Sequence, residues 1–213
     1  MIDNFEQIKQ FISICDTEYP LESRFDEDPD SFYQVQLIKR KKDNTEMKGD
    51  CTIFKRYYIN KKEDLDKYKD EIILMCDTFN LRAYFMVDRK SYRQATLDSM
   101  VEIVQRVQNN NFKKIYAVID SCIGKYANGS HKKWVIDVDA EDCPDLEKFL
   151  ERCVYYVNYC CNPGRTVITT IKTKSGFHII TNPFDLRSLT NYLGVTKDVS
   201  EFVKKKASTI LYA

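Results

Sequence analysis

The sequence predicts an α+β fold, and three observations carry that expectation. Two stretches, 31–42 and 51–59, alternate apolar and polar residues as half-buried strands do. Two longer stretches, 61–79 and 92–109, repeat apolar residues at helical spacing. From residue 133 onward, short strand-like and helix-like segments follow one another in the order β-α-β-β-α-β. A chain of 213 residues suffices for one large domain or two small subdomains around a sizeable core. The expected division is 1–132, an N-terminal α/β subdomain, and 133–213, a second core, packed as one compact unit.

Composition narrows the function classes. The 33 basic and 32 acidic residues nearly cancel, so any nucleic-acid site must come from local clustering of charge. No apolar run approaches the ~20 residues needed to span a bilayer. The first ten residues, MIDNFEQIKQ, do not resemble a signal peptide. The expectation is a soluble, cytoplasmic protein with no membrane partner. The chain has eight cysteines but no CxxC pair and only two histidines, so the usual zinc spacings are missing. Buried, reduced thiols are expected, with Cys153 and Cys160 sharing the apolar face of one helix.

In chain order, residues 4–15 place Phe5, Ile8, Phe11, Ile12 and Cys15 at helical spacing behind Asp3 or Asn4 as a cap. An acidic, proline-containing surface loop follows. The strands at 31–42 and 51–59 are expected to form a hairpin, with the basic run at 39–42 read as a solvated turn flank in preference to a phosphate contact. The helix over 61–79 is expected to bury Leu65, Tyr68, Ile72, Leu74, Met75 and Phe79. A strand over 81–87 leads into a segment where Arg82, Arg89, Lys90 and Arg93 surround Tyr84 and Tyr92. Basic residues interleaved with aromatics suit nucleic-acid contact, and equally suit an ordinary amphipathic helix start. The helix over 92–109 is expected to turn Leu97, Met100, Val101, Val104 and Val107 inward. His131 reads as an exposed residue of the basic loop that follows.

The later segments are a strand (134–140), a helix (145–160), strands at 165–172 and 176–182, a helical region (185–206) and a last strand (208–212). This is the ferredoxin-like or RNA-recognition-like order, in which the first and third strands are central neighbours. The first strand ends in Asp137 and Asp139. Residues i and i+2 of a strand share a face, roughly 6–7 Å apart, so the two carboxylates can share Mg2+ or Mn2+. On the third strand His178 follows the Ser175–Gly176 turn, flanked by Lys172, Lys174 and Ser175, all able to hold phosphate oxygens. A hydrogen-bonded core histidine is the plainer reading of the same residue.

These motifs carry a resemblance. VIDVD at 135–139 and SGFH at 175–178 are similar to the first two motifs of the archaeo-eukaryotic primase superfamily, which includes primase-polymerases. The match is strongest over 133–185, and the chain also looks like small phage proteins of this kind. The resemblance implies an RNA-recognition-like catalytic core behind an α/β subdomain. It implies that Asp137 and Asp139 bind the catalytic metals and that His178 contacts the triphosphate of an incoming nucleotide. Nucleic acid, nucleoside triphosphates and replication proteins would be the partners, in the cytoplasm of a bacterial host. One feature departs from the pattern. The family's third motif places an aspartate on a late strand, whereas the stretch 207–213, ASTILYA, offers only Ser208, Thr209 and Tyr212 as polar side chains. Asp185, Glu141 and Asp142 lie elsewhere. Three functions follow: a primase-polymerase-like nucleotidyltransferase, a non-catalytic nucleotide- or nucleic-acid-binding relative, and a DxD sugar transferase. The late position of the DxD and the nearby SGxH weigh against the third.

Overall fold

The computed structural model describes residues 2–18, 31–125, 132–139, 145–160, 167–184, 189, 192, 203–204 and 208–213. It is an α+β fold with two antiparallel sheets. Helix α1 (Phe5–Glu18) starts where the Asp3 carboxylate accepts the Phe5 amide at 3.1 Å. Its Phe5, Ile8, Phe11, Ile12 and Cys15 are all buried, as their spacing predicts. Strands β1 (Ser31–Arg40) and β2 (Cys51–Ile59) form the expected hairpin. Helix α2 (Glu63–Phe79) ends at Asn80, whose left-handed backbone (φ 51°) stops the helix and lets its amide bond the Cys76 carbonyl.

Strand β3 (Arg82–Ser91) runs beyond the expected 81–87, because its polar end still pairs with Ser31 and Phe32 of β1. Helix α3 (Tyr92–Gln108) begins at Ser91, whose hydroxyl accepts the Gln94 amide at 3.0 Å. A short 3-10 turn (Ile115–Ala117) leads into α4 (Val118–Lys125).

Strands β4 (Trp134–Asp139), β5 (Val167–Lys172) and β6 (Gly176–Thr181) belong to the second sheet, with α5 (Leu146–Tyr155) between the first two in sequence. Two further strands are β7 (Val203–Lys204) and β8 (Ser208–Tyr212). The sheet orders are β2-β1-β3-β8 and β5-β6-β4-β7. β4 and β6 are neighbours, as the element order requires.

The last strand departs from expectation. Val203–Lys204, inside the stretch read as helical, closes the second sheet against β4, while β8 leaves it and pairs with β3. The reason is burial: Thr209, Ile210, Leu211 and Tyr212 are all buried, so this strand needs cover on both faces. The start of the chain completes it. Ile2 and Ala213 exchange backbone hydrogen bonds of 2.6 and 3.1 Å, and the Asn4 amide bonds the Leu211 carbonyl at 2.9 Å. The segments 1–132 and 133–213 therefore share a sheet.

They also share a core. One cluster joins α1 and α2 to Val35, Leu37, Ala83, Phe85 and Leu211 of the first sheet, and takes in Val135, Ile171 and Ile180 from the second. Strand alternation sends Ile136, Val138 and Ile179 to the other face, against Cys153 and Val157. At the edge between sheets, the buried Asp88 carboxylate accepts the Lys133 amide at 2.7 Å, and Lys133 Nζ donates to Asn182 at 2.6 Å. Burial pushes the Asp88 carboxyl above its ordinary value, only partly offset by the Lys133 bond and by Lys90 and Lys132 nearby.

Three helical expectations are corrected. Leu97, Met100, Val101, Val104 and Val107 face out, because α3 packs through the small residues Ala95 and Ser99. In α2, Leu74 and Phe79 are exposed, with Phe79 stacked on Phe54 at 5.1 Å. Helix α5 gives way to a π-helical turn over Tyr156–Cys160, which shifts the helical phase and leaves Cys160 exposed while Cys153 is buried. His131, Cys143, Cys161 and most of 185–206 lie outside the described residues. Among the described residues, no helix is long and apolar enough to cross a membrane.

Candidate functional site

Asp137 pairs with His178 and Asp139 with Gly176 across the β4–β6 ladder. Cross-strand partners share a face, so both carboxylates and the imidazole point the same way. That face continues from Val135 and Ile180, which are packed in the first core. Apolar packing thus anchors one end of the two strands, and the polar end is left open.

Glycine at 176 is required by space. A Cβ there would lie 1.8 Å from the Val138 carbonyl oxygen. Any side chain would push β6 away from β4. The turn before it is closed twice: the Thr173 amide bonds the Gly176 carbonyl, and the Gly176 amide bonds the Thr173 hydroxyl, both at 2.9 Å. This turn brings the Ser175 hydroxyl to Asp139, to which it donates at 2.6 Å.

His178 has a partner on each ring nitrogen. Nε2 lies 3.1 Å from Asp137 Oδ1, and Nδ1 lies 2.9 Å from Thr209 Oγ1 on β8. A nitrogen facing a carboxylate is best satisfied as a donor, so the neutral ring carries its proton on Nε2 and accepts the Thr209 hydroxyl at Nδ1. The side chain is 14% exposed, against 34% for Asp137.

This face opens into a cleft of about 760 Å³ between the two sheets. One wall carries Asp137, Asp139, His178, Lys174 and Ser175; the other carries Arg40, Lys42, Arg82 and Tyr84. The Arg40 guanidinium donates to the Tyr84 hydroxyl at 2.8 Å, and Arg82 pairs with Asp43. That pairing raises the Arg82 pKa further, so its charge is fixed. The second wall also holds Asp43 and Asp77, and Lys174 stands with the acid pair, so both signs of charge line each wall.

Five of the residues singled out in the SGxH and DxD motifs meet here: Asp137, Asp139, Lys174, Ser175 and His178. Lys172 does not. It pairs with Phe177, so alternation turns it to the face opposite His178. The basic-aromatic cluster of the first sheet is dispersed. Arg82 reaches the cleft, but Arg89 is held by Asp16 at 2.8 Å and by the Ser31 and Asn60 carbonyls at 3.3 Å. Lys90 is buried, and Arg93 lies exposed on the first turn of α3, away from the cleft lining. A strand's alternation and the helix start separate residues that are close in sequence. Arg40 and Lys42, in the basic run read as a turn flank in preference to a phosphate contact, line the cleft. Sequence reasoning missed Thr209, whose strand was placed in the other sheet.

Among the described residues, no group of three His, Cys, Asp or Glu side chains forms a metal cage. Comparison with protein-family models, with curated proteins and with solved structures returned no match.

Proposed function

We propose that the protein is a primase-polymerase-like nucleotidyltransferase with an RNA-recognition-like core, acting on nucleic acid with nucleoside triphosphates and Mg2+ or Mn2+. The observation that carries this reading is the shared face of Asp137, Asp139 and His178, opening on a cleft that Arg40 and Lys42 also line. The antiparallel order β5-β6-β4-β7 supports the core topology, since it is the order that a β-α-β-β-α-β chain of this class adopts.

The donor set fits a hard divalent cation. Mg2+ binds through one or two carboxylates together with waters and phosphate oxygens, and needs no all-protein cage. Asp137 and Asp139 would hold it. When bound, it would help activate the attacking hydroxyl and neutralise charge on the leaving pyrophosphate. Lys174 would hold phosphate oxygens, joined by Ser175 and His178 once the ligand displaces their bonds to Asp139 and Asp137, with Arg40 and Lys42 facing the remaining anionic ligand.

A second reading, a nucleotide- or nucleic-acid-binding relative without transfer activity, draws on one observation. Strand β8 brings a threonine, and no carboxylate, to His178.

Titration calorimetry with Mn2+ and a non-hydrolysable nucleoside triphosphate tests the shared part of both readings. Binding is expected for the wild type and its loss for the Asp137→Asn, Asp139→Asn double variant; equal isotherms would end the metal claim. Extension of a primed template then separates them: a longer product supports transfer, and binding without extension supports the second reading.

A further inference from the structure

We propose that the outward face of α3 is a homodimer contact, on which a second copy of this chain packs its own α3 antiparallel. The proposal is independent of the chemistry assigned to the cleft.

Helix α3 is packed the opposite way round from its composition. Its inner face uses Ala95 and Ser99, with the Ser99 hydroxyl turned back on the Ala95 carbonyl at 2.5 Å. Its apolar face is solvent-facing: Leu97, Met100, Val101, Val104 and Val107 are between 47% and 60% exposed. A hundred degrees of rotation per residue puts these five within one stripe, opposite Ala95 and Ser99. Their exposed surface is on the order of 400 Å², a size at which a patch on a soluble chain marks a contact. The segment after α3 also exposes Phe112, Tyr116 and Ile119; a standard interface takes about 800 Å² per partner.

The spacing within the stripe points to the occupant. Leu97, Met100, Val104 and Val107 are separated by three, four and three residues, the seam of a left-handed helix pair. About a two-fold axis near Glu102, the seam is complementary to itself. Leu97 meets the second copy's Val107, and Met100 meets the second copy's Val104. Val101 lies beside the axis, against its own symmetry mate. Between 97 and 107 the seam positions carry no charge, so no like charges are opposed. Arg93, at the seam's start, falls beside the C-terminal end of the second copy's helix, where exposed carbonyls favour a cation. A two-fold isologous contact is also the commonest way for a soluble chain to cover such a face.

Light scattering coupled to size-exclusion chromatography, at micromolar concentrations, tests the contact. The wild type is expected at twice the 25.1 kDa chain mass. The Met100→Glu, Val104→Glu variant is expected at one chain mass, with unchanged circular dichroism, because both side chains are exposed within the chain. A monomeric wild type would overturn the proposal, including the case in which a different protein covers the stripe. So would a dimer that survives these substitutions and is lost instead on Phe54→Asp.

Orientation is read separately, in a background with the exposed Cys51 and Cys160 replaced by serine. Leu97→Cys mixed with Val107→Cys is expected to cross-link well above either variant alone. Cross-linking of each variant with itself, at equal yield, would indicate a parallel pair and refute the arrangement.

Discussion

His178 and Thr209 lie on strands of different sheets and meet at 2.9 Å. The contact joins the open face of the second sheet to the strand that closes the first. It also fixes which imidazole nitrogen faces Asp137, since the hydroxyl occupies the other.

Replacing Thr209 with valine keeps the shape and removes the hydroxyl. A ring nitrogen of this mostly covered side chain is then left without its partner, which costs about 1–3 kcal/mol. Urea unfolding should record a loss in that range. Nitrogen NMR of the imidazole should show the tautomer ratio shifting away from Nε2–H. An unchanged ratio would mean that Asp137 alone orients the ring.

His178→Ala separates a phosphate-binding histidine from a core one. Charge-assisted hydrogen bonds contribute about 1.5–3 kcal/mol, so nucleotide affinity should weaken roughly ten-fold or more with Mn2+ affinity largely kept. Affinity and melting temperature measured on the same protein decide between the readings. A lower melting temperature with normal nucleotide affinity would return His178 to a purely structural role.

Gly176→Ala should disturb the site without touching any functional group. The new methyl has no room beside the Val138 carbonyl, and overpacking of this kind costs about 1–3 kcal/mol. Metal affinity should fall with stability, because Asp139 is the cross-strand partner of residue 176. Metal affinity kept at the wild-type value would show that the acid pair does not depend on the β4–β6 register.

Asp88 gives the fold a pH dependence. Its folded pKa is raised above the ordinary 3.8, so the folded state keeps the proton to higher pH than the unfolded chain. Stability relative to a neutral side chain is therefore highest below 3.8 and falls as pH rises through the folded value. Asp88→Asn still offers an oxygen to the Lys133 amide and does not ionise. The stability of this variant minus that of the wild type should grow with pH across that window. A difference that stays flat in unfolding titrations would contradict the burial argument.

Much of this molecule was legible because local patterns matched local burial. The helical spacing in α1, the hairpin alternation and the β4–β6 adjacency each depend on residues near in sequence or on element order. The placement of Asp137, Asp139 and His178 on one face follows from strand alternation once that adjacency is known. What was not legible depended on distant partners. Thr209 acquires its meaning only because β8 crosses to β3. Arg40 and Lys42 become a cleft wall only because the second sheet lies across from them. The α3 stripe misled because an apolar helical face says that it will be covered, and does not say by which chain.

The pairing of Ile2 with Ala213 has a practical consequence, since both residues also line the cleft. A group attached next to Ala213 therefore sits at the cleft. A tag placed there would compete with a ligand for the entrance, and its proteolytic removal should precede any binding measurement. The same geography makes this position a convenient anchor for a fluorophore that reports when the cleft is occupied.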